Sequence, residues 1–157
     1  MEINGIAHLM LTVSNFDACR PFYEQLLAYL GLKPIINADG MLYCVGGRTA
    51  VGIVKAEDPY RHERFVQLRV GLHHVCFRSR TREDVDALHT FLSQLGAKII
   101  HPPEEGPWAP GYYSVLFEDP DGIRLEIVAL RRGRILVRDH WAELTEFEDP
   151  VAKAGLA

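Results

Sequence analysis

The sequence predicts an α+β fold built from two β-α-β-β-β modules, and three observations carry that prediction. The first is an internal repeat: "GIAHLMLTV", starting at Gly5, matches "GLHHVCFRS", starting at Gly71 and so 66 residues on, in the pattern Gly-apolar-x-His-apolar-x-apolar. The second is a pair of helical segments. "NFDACRPFYEQLLAYLGL" ends in Leu30-Gly31 and "TREDVDALHTFLSQLGA" ends in Leu95-Gly96, 65 residues on. The third is the set of short strands that follows each helix.

In the opening strand, period-two alternation puts Ala7, Leu9, Leu11 and Val13 on one apolar face and Ile6, His8, Met10 and Thr12 on the other. The first helix carries Phe22, Leu26, Leu27 and Leu30 at helical spacing. Ser14-x-x-Asp17 resembles an N-terminal capping box, and Gly31 is a natural C-terminal cap. Strands are expected at residues 33–37, 41–45 and 50–55. The second module repeats the order. Its first strand has His73, Val75 and Phe77 on one face and Leu72, His74, Cys76 and Arg78 on the other. Its helix carries Val85, Leu88, Leu92 and Leu95 between the capping box Thr81-x-x-Asp84 and Gly96. Strands are expected at 98–101, 112–118 and 123–129, with a tight turn at "DPDG" (residues 119–122). Aligning "AVGIV" from Ala50 with "RLEIV" from Arg124 leaves the second module about eight residues longer, and "HPPEEGPWAPG" (residues 101–111) reads as an inserted loop.

At 157 residues, with a formal charge of −4 at pH 7, the chain suits one domain and has no basic field to hold nucleic acid. Residues 1–130 form that domain, with module one at 1–57 and module two at 71–130. Cys19, Cys44 and Cys76 lack disulfide or zinc spacing and read as small core hydrophobes of a reducing compartment. With an acidic start and no apolar run of membrane length, the expected setting is the cytoplasm, with no membrane partner. Residues 131–157 are a C-terminal extension. Asp139, Trp141, Leu144 and Pro150 predict a short helix there, packed on the domain, a partner chain or the cavity mouth.

The repeat pairs His74 with His8, and both project from the sheet face that the helices leave open. In the last strand Glu126 shares that face, between large apolar neighbours. A carboxylate buried without a partner costs several kcal/mol, and a cation would offset that cost. Two imidazoles and one carboxylate make a facial set for a divalent metal with positions left for substrate.

"HLMLTV", the "FYEQLLAYLGL" helix, "HHVCF" and "FEDPDGIRLEIV" together resemble the vicinal oxygen chelate superfamily of glyoxalase, bleomycin-resistance, fosfomycin-resistance and extradiol dioxygenase proteins. The resemblance implies modules curled into a half-barrel around a metal site, with helices on the convex outer face. It also implies a homodimer acting on a small-molecule substrate. Carried over by position, the metal ligands are His8, His74 and Glu126. The fourth ligand position of the family falls on Gly52, which cannot ligate, so the site is similar to the three-ligand members. The extradiol pattern adds a tyrosine before the final turn and a loop histidine. Here Glu118 stands at the tyrosine position, and the nearest loop histidine is His101.

The expected function is that of a divalent-metal enzyme (Fe2+, Mn2+, Zn2+ or Ni2+). It would bind adjacent substrate oxygens and stabilise an anionic intermediate in lyase, isomerase or ring-cleaving dioxygenase chemistry. Tyr113, His101 and Arg124 are the candidate catalytic groups, with Tyr43 and Glu104 behind them and Trp108 as an aromatic lid or a surface anchor. His73 is expected on the helix-facing side or at an interface. The alternative is a metal-free small-molecule binding protein of the bleomycin-resistance kind.

Overall fold

The computed structural model describes residues 3, 5–109 and 111–130. It contains two four-stranded mixed sheets, each with one long helix. The first holds β1 (His8–Val13), α1 (Phe16–Tyr29), β2 (Lys33–Ala38), β3 (Met41–Val45) and β4 (Ala50–Lys55). The second holds β5 (Val75–Ser79), α2 (Arg82–Leu95), β6 (Lys98–Glu105), β7 (Tyr113–Glu118) and β8 (Arg124–Ala129). Strand orders are β1-β4-β3-β2 and β5-β8-β7-β6, so the repeat extends to topology. The first strand of each module pairs parallel to its last, and the other neighbours are antiparallel. Register repeats too: Leu9 stands opposite Val51 as Val75 stands opposite Leu125.

Helix faces and strand parity form a core in each sheet. Leu11 and Val13 of β1 are buried with Phe22, Leu26 and Leu27 of α1, whereas His8, Met10 and Thr12 are exposed. In the second sheet Val85, Leu88 and Leu92 of α2 are buried, as are Val115, Phe117, Leu125 and Ile127 of β7 and β8. Each such large side chain contributes about 1.5–3 kcal/mol. Both helices end on a left-handed glycine, Gly31 at φ 81° and Gly96 at φ 75°. The following N–H returns to the carbonyl five residues back, Leu32 to Leu27 at 2.8 Å and Ala97 to Leu92 at 3.0 Å.

The helix starts differ. Thr81 and Asp84 form the expected capping box of α2. Ser14 does not cap α1: the N-cap is Asn15, whose side chain accepts from the Ala18 N–H at 3.3 Å. Ser14 is instead drawn to Asp121, whose carboxylate accepts from the Ser14 N–H, the Ser14 hydroxyl, the Asn15 N–H and Arg64.

That turn explains how the chain divides into two compact units. One runs to Val66 and takes in Asp119–Ile123; the other comprises Gln67–Glu118 and the chain from Arg124. The turn between β7 and β8 thus packs with α1, where the Tyr23 hydroxyl donates to Asp119 at 2.8 Å. Burial raises the Asp119 carboxyl to about 6, against the donors Tyr23, Ile123 N–H and Asp121 N–H.

The expected loop at 101–111 is half strand. β6 continues to Glu105, with Glu104 opposite Ser114 and Glu105 opposite Tyr113. Pro102 and Pro103 fall where the register skips between His101 and Glu104. β6 is an edge strand, so two residues without an N–H are tolerated at that bulge. The predicted helix at 139–150 lies outside the described residues. Among the described residues no helix is long and apolar enough to cross a membrane.

Candidate functional site

Glu126 lies mid-strand in β8, the central strand that puts it between Cys76 of β5 and Leu116 of β7. It is 7% exposed and both its oxygens are engaged. The Tyr112 hydroxyl donates to Oε1 at 3.0 Å, and His74 Nε2 stands 3.2 Å from Oε2. His74 Nδ1 lies 2.7 Å from His73 Nδ1, with the rings edge to face at 4.9 Å between centroids. The Gln67 amide nitrogen is 2.8 Å from His73 Nε2 and 3.2 Å from its Nδ1.

Two corrections follow. His73 is exposed, not buried against the helix, because β5 begins at Val75 and strand alternation does not reach back to it. Cys76 is not a core residue: Cys19 and Cys44 are buried, and Cys76 lies on the open face, its sulfur 3.8 Å from the Tyr112 hydroxyl. All three thiols are free. Desolvation by the protein around its sulfur, and then the Glu126 carboxylate, push the Cys76 thiol up to about 12, so it is neutral at ordinary pH. Burial, Cys76 and Glu126 likewise push the Tyr112 hydroxyl well above its usual value, which keeps it a donor.

Tyr113, a candidate catalytic group, turns away from the carboxylate. Its hydroxyl donates to Asp86 of α2 at 2.8 Å, and the Arg82 guanidinium lies 4.8 Å over its ring. Parity explains the exchange. Tyr113 shares a face with buried Val115 and Phe117, whereas Tyr112 falls on the side of Leu116, which is opposite Glu126. The short loop before β7 holds Tyr112 in place through Gly106 N–H to Tyr112 O at 2.7 Å and Tyr112 N–H to Ala109 O at 3.0 Å. Trp108 and Tyr112 both flank Gly106 and would crowd a Cβ there.

Arg124 and Lys98 flank Glu118 across the sheet, at 3.5 and 2.8 Å. His101 meets Glu104 at 3.3 Å, and both are well exposed. Tyr43 lies over Gly52 with Met10: a Cβ on Gly52 would meet Met10 Sδ at 2.7 Å and Tyr43 Cδ2 at 2.8 Å. His8 is exposed on β1 opposite Ala50, in the other unit from His74 and Glu126. Among the described residues no three His, Cys, Asp or Glu side chains gather as a metal-holding group.

Within the second unit the donor atoms suit an ion. Two ligand atoms bound at about 2.0–2.2 Å, at right-angle to tetrahedral angles, stand about 3 Å apart, close to the His74–Glu126 separation of 3.2 Å.

The family model described as Glyoxalase/Bleomycin resistance protein/Dioxygenase superfamily matches residues 5–127. The chain belongs to this superfamily. Its fold is therefore the vicinal oxygen chelate fold, and the repeated sheets are that fold's two modules. Within the superfamily the chain is 32% identical over 124 residues to the uncharacterized protein YqjT of Bacillus subtilis (strain 168), covering 78% of this chain and 96% of that one. It is 30% identical over 125 residues to the metallothiol transferase FosB of Shouchella clausii, covering 80% of each. A crystal structure of a glyoxalase candidate from Bacillus halodurans superposes with a TM-score of 0.71 at 30% identity, over 81% of this chain and 96% of that one.

Strand parity was enough to find Tyr112 beside Glu126. No sequence pattern points to His73 and Gln67, because their contacts arise in irregular chain before β5.

Proposed function

We propose that this chain is a divalent-metal enzyme acting on a small molecule that presents two adjacent oxygens. The observation that carries the reading is the buried Glu126 carboxylate facing His74 Nε2 at 3.2 Å on the open face of the second sheet. His74 and Glu126 would hold the ion, and the internal repeat nominates His8 as the third ligand. A bound divalent ion supplies a Lewis acid for the substrate oxygens. Tyr112 fixes Oε1 of the carboxylate and leaves Oε2 on the histidine side. Tyr113, His101 and Arg124 are committed to Asp86, Glu104 and Glu118, which supports supporting roles for them rather than contact with substrate.

The reaction class within this reading is lyase, isomerase, thiol-transfer or ring-cleaving dioxygenase chemistry, in a cytoplasmic homodimer. Elemental analysis of protein purified without chelator or affinity metal tests it, alongside His8→Ala and Glu126→Ala. About one transition metal per chain, lost in both variants, is the expected result. Iron with oxygen uptake on catechols would select the dioxygenase branch; zinc, nickel or manganese without oxygen uptake would select the others. Wild-type protein that is empty and refuses every metal overturns the reading. A metal-free binding protein is the second reading, favoured by the lack of a three-donor cluster among the described residues.

A further inference from the structure

The open face of the second sheet carries its polar groups in cross-strand rows. Arg124 stands opposite Glu118, Cys76 and Leu116 flank Glu126, and Arg78 and Ser114 flank Val128, with Glu104 beyond Ser114. Most charges on this face already have partners. Glu118 has Lys98 and Arg124, Glu104 has His101, and Glu126 has Tyr112 and His74. Arg78 is the exception. It is exposed, and among the described residues no hydrogen bond or ion pair engages its guanidinium.

An exposed arginine is ordinarily left to water. Two observations set this one apart. β5 alternates, with Val75, Phe77 and Ser79 half-buried and Cys76 and Arg78 exposed, so Arg78 shares the face of Glu126. Its row lies one two-residue period along the strands from the Cys76–Glu126 row, about 6.6 Å away. The second observation is electrostatic. The Arg78 charge acts at the Cys76 sulfur, where it opposes the burial and the Glu126 carboxylate that raise the thiol. The field of the guanidinium therefore covers the row that holds Glu126.

We propose that Arg78 is a specificity-determining residue that holds a carboxylate at the end of the substrate remote from its two adjacent oxygens. The proposal rests on the metal reading above. With those oxygens beside His74 and Glu126, an acid group one strand period further along β5 comes within reach of the guanidinium, whose fork of N–H donors pairs with a carboxylate. One guanidinium offsets one negative charge, which suits a carboxylate better than a doubly charged phosphate. Arg124, at the other end of the face, is held by Glu118 and offers no free charge.

The test is calorimetric binding of two hydroxamates of equal length to the zinc-loaded protein. Glutaric monohydroxamate ends in a carboxylate and pentanohydroxamate in a methyl group, and both present two adjacent oxygens. Wild type should bind the charged probe about 10-fold more tightly, as a charge-assisted hydrogen bond allows. Arg78→Met, which keeps the apolar stem and removes the charge, should bind the two probes alike. Arg78→Lys should keep part of the preference, and added salt should narrow it in wild type. If wild type does not distinguish the probes, or if Arg78→Met keeps the preference, the inference fails and the metal reading survives. If wild type takes no divalent ion, or takes one and binds neither hydroxamate, the metal reading fails and the inference with it.

Discussion

The open faces of the two sheets share one register and carry opposite chemistry. In the first sheet the cross-strand row is Met10, Gly52 and Tyr43; in the second it is Cys76, Glu126 and Leu116. The first row fills its face with a thioether and a ring that close over a glycine. The second places a carboxylate between a neutral thiol and an apolar side chain, with Tyr112 and His74 on its two oxygens. Duplicated backbones therefore do not imply duplicated ligands. A central strand buried on both sides accepts a charge only where its neighbours supply partners, and only the second module does so.

Glu126→Gln breaks this asymmetry most severely. The amide keeps the size and loses the charge, so metal content measured by elemental analysis should fall at least 100-fold while the protein still folds. The turns differ in the same sense. Residues 46–49 of module one read "GGRT", with no carboxylate, whereas the second module's turn carries buried Asp119. With its folded value at about 6 and an ordinary value of 3.8, Asp119 binds its proton more tightly in the folded state. Its contribution is complete below about pH 3.8 and is lost as pH rises through about 6. The stability difference between wild type and Asp119→Asn, followed by denaturant melts from pH 4 to pH 7, should shift against wild type by about 2 kcal/mol. A flat difference would mean that the donors around Asp119 cancel its burial, and a reversed one that they outweigh it.

Gly52→Ala sharpens the comparison from the other side. Its Cβ would press on Met10 and on the Tyr43 ring, so thermal unfolding should show a loss of about 1–3 kcal/mol. Metal content should not change, because Gly52 itself supplies no ligand atom. The smallest effect separates adjacent tyrosines. Tyr112→Phe leaves Glu126 Oε1 without its donor and should cost about 1–2 kcal/mol and lower turnover. Tyr113→Phe cuts an exposed bond to Asp86 and should cost less than about 1 kcal/mol with turnover intact.

Local pattern was sufficient wherever one element carried its own instructions. The repeat, the two helices, the glycine stops, the Thr81–Asp84 box and the side of each strand on which His8, Cys76 and Glu126 fall all follow from periodicity, because backbone geometry alone decides them. The long-range choices did not follow. Asp121 accepts the N–H groups of Ser14 and Asn15 from a turn 106 or more residues away, which moves the start of α1 and overrides the capping box written at Ser14. Pro102 and Pro103 become part of an edge strand because β6 bulges there by one residue against β7. His73 meets His74, and Gln67 meets His73, through a segment with no regular period. In such chain the side-chain directions are decided by which buried polar atom must be satisfied, and that is a property of the assembled fold.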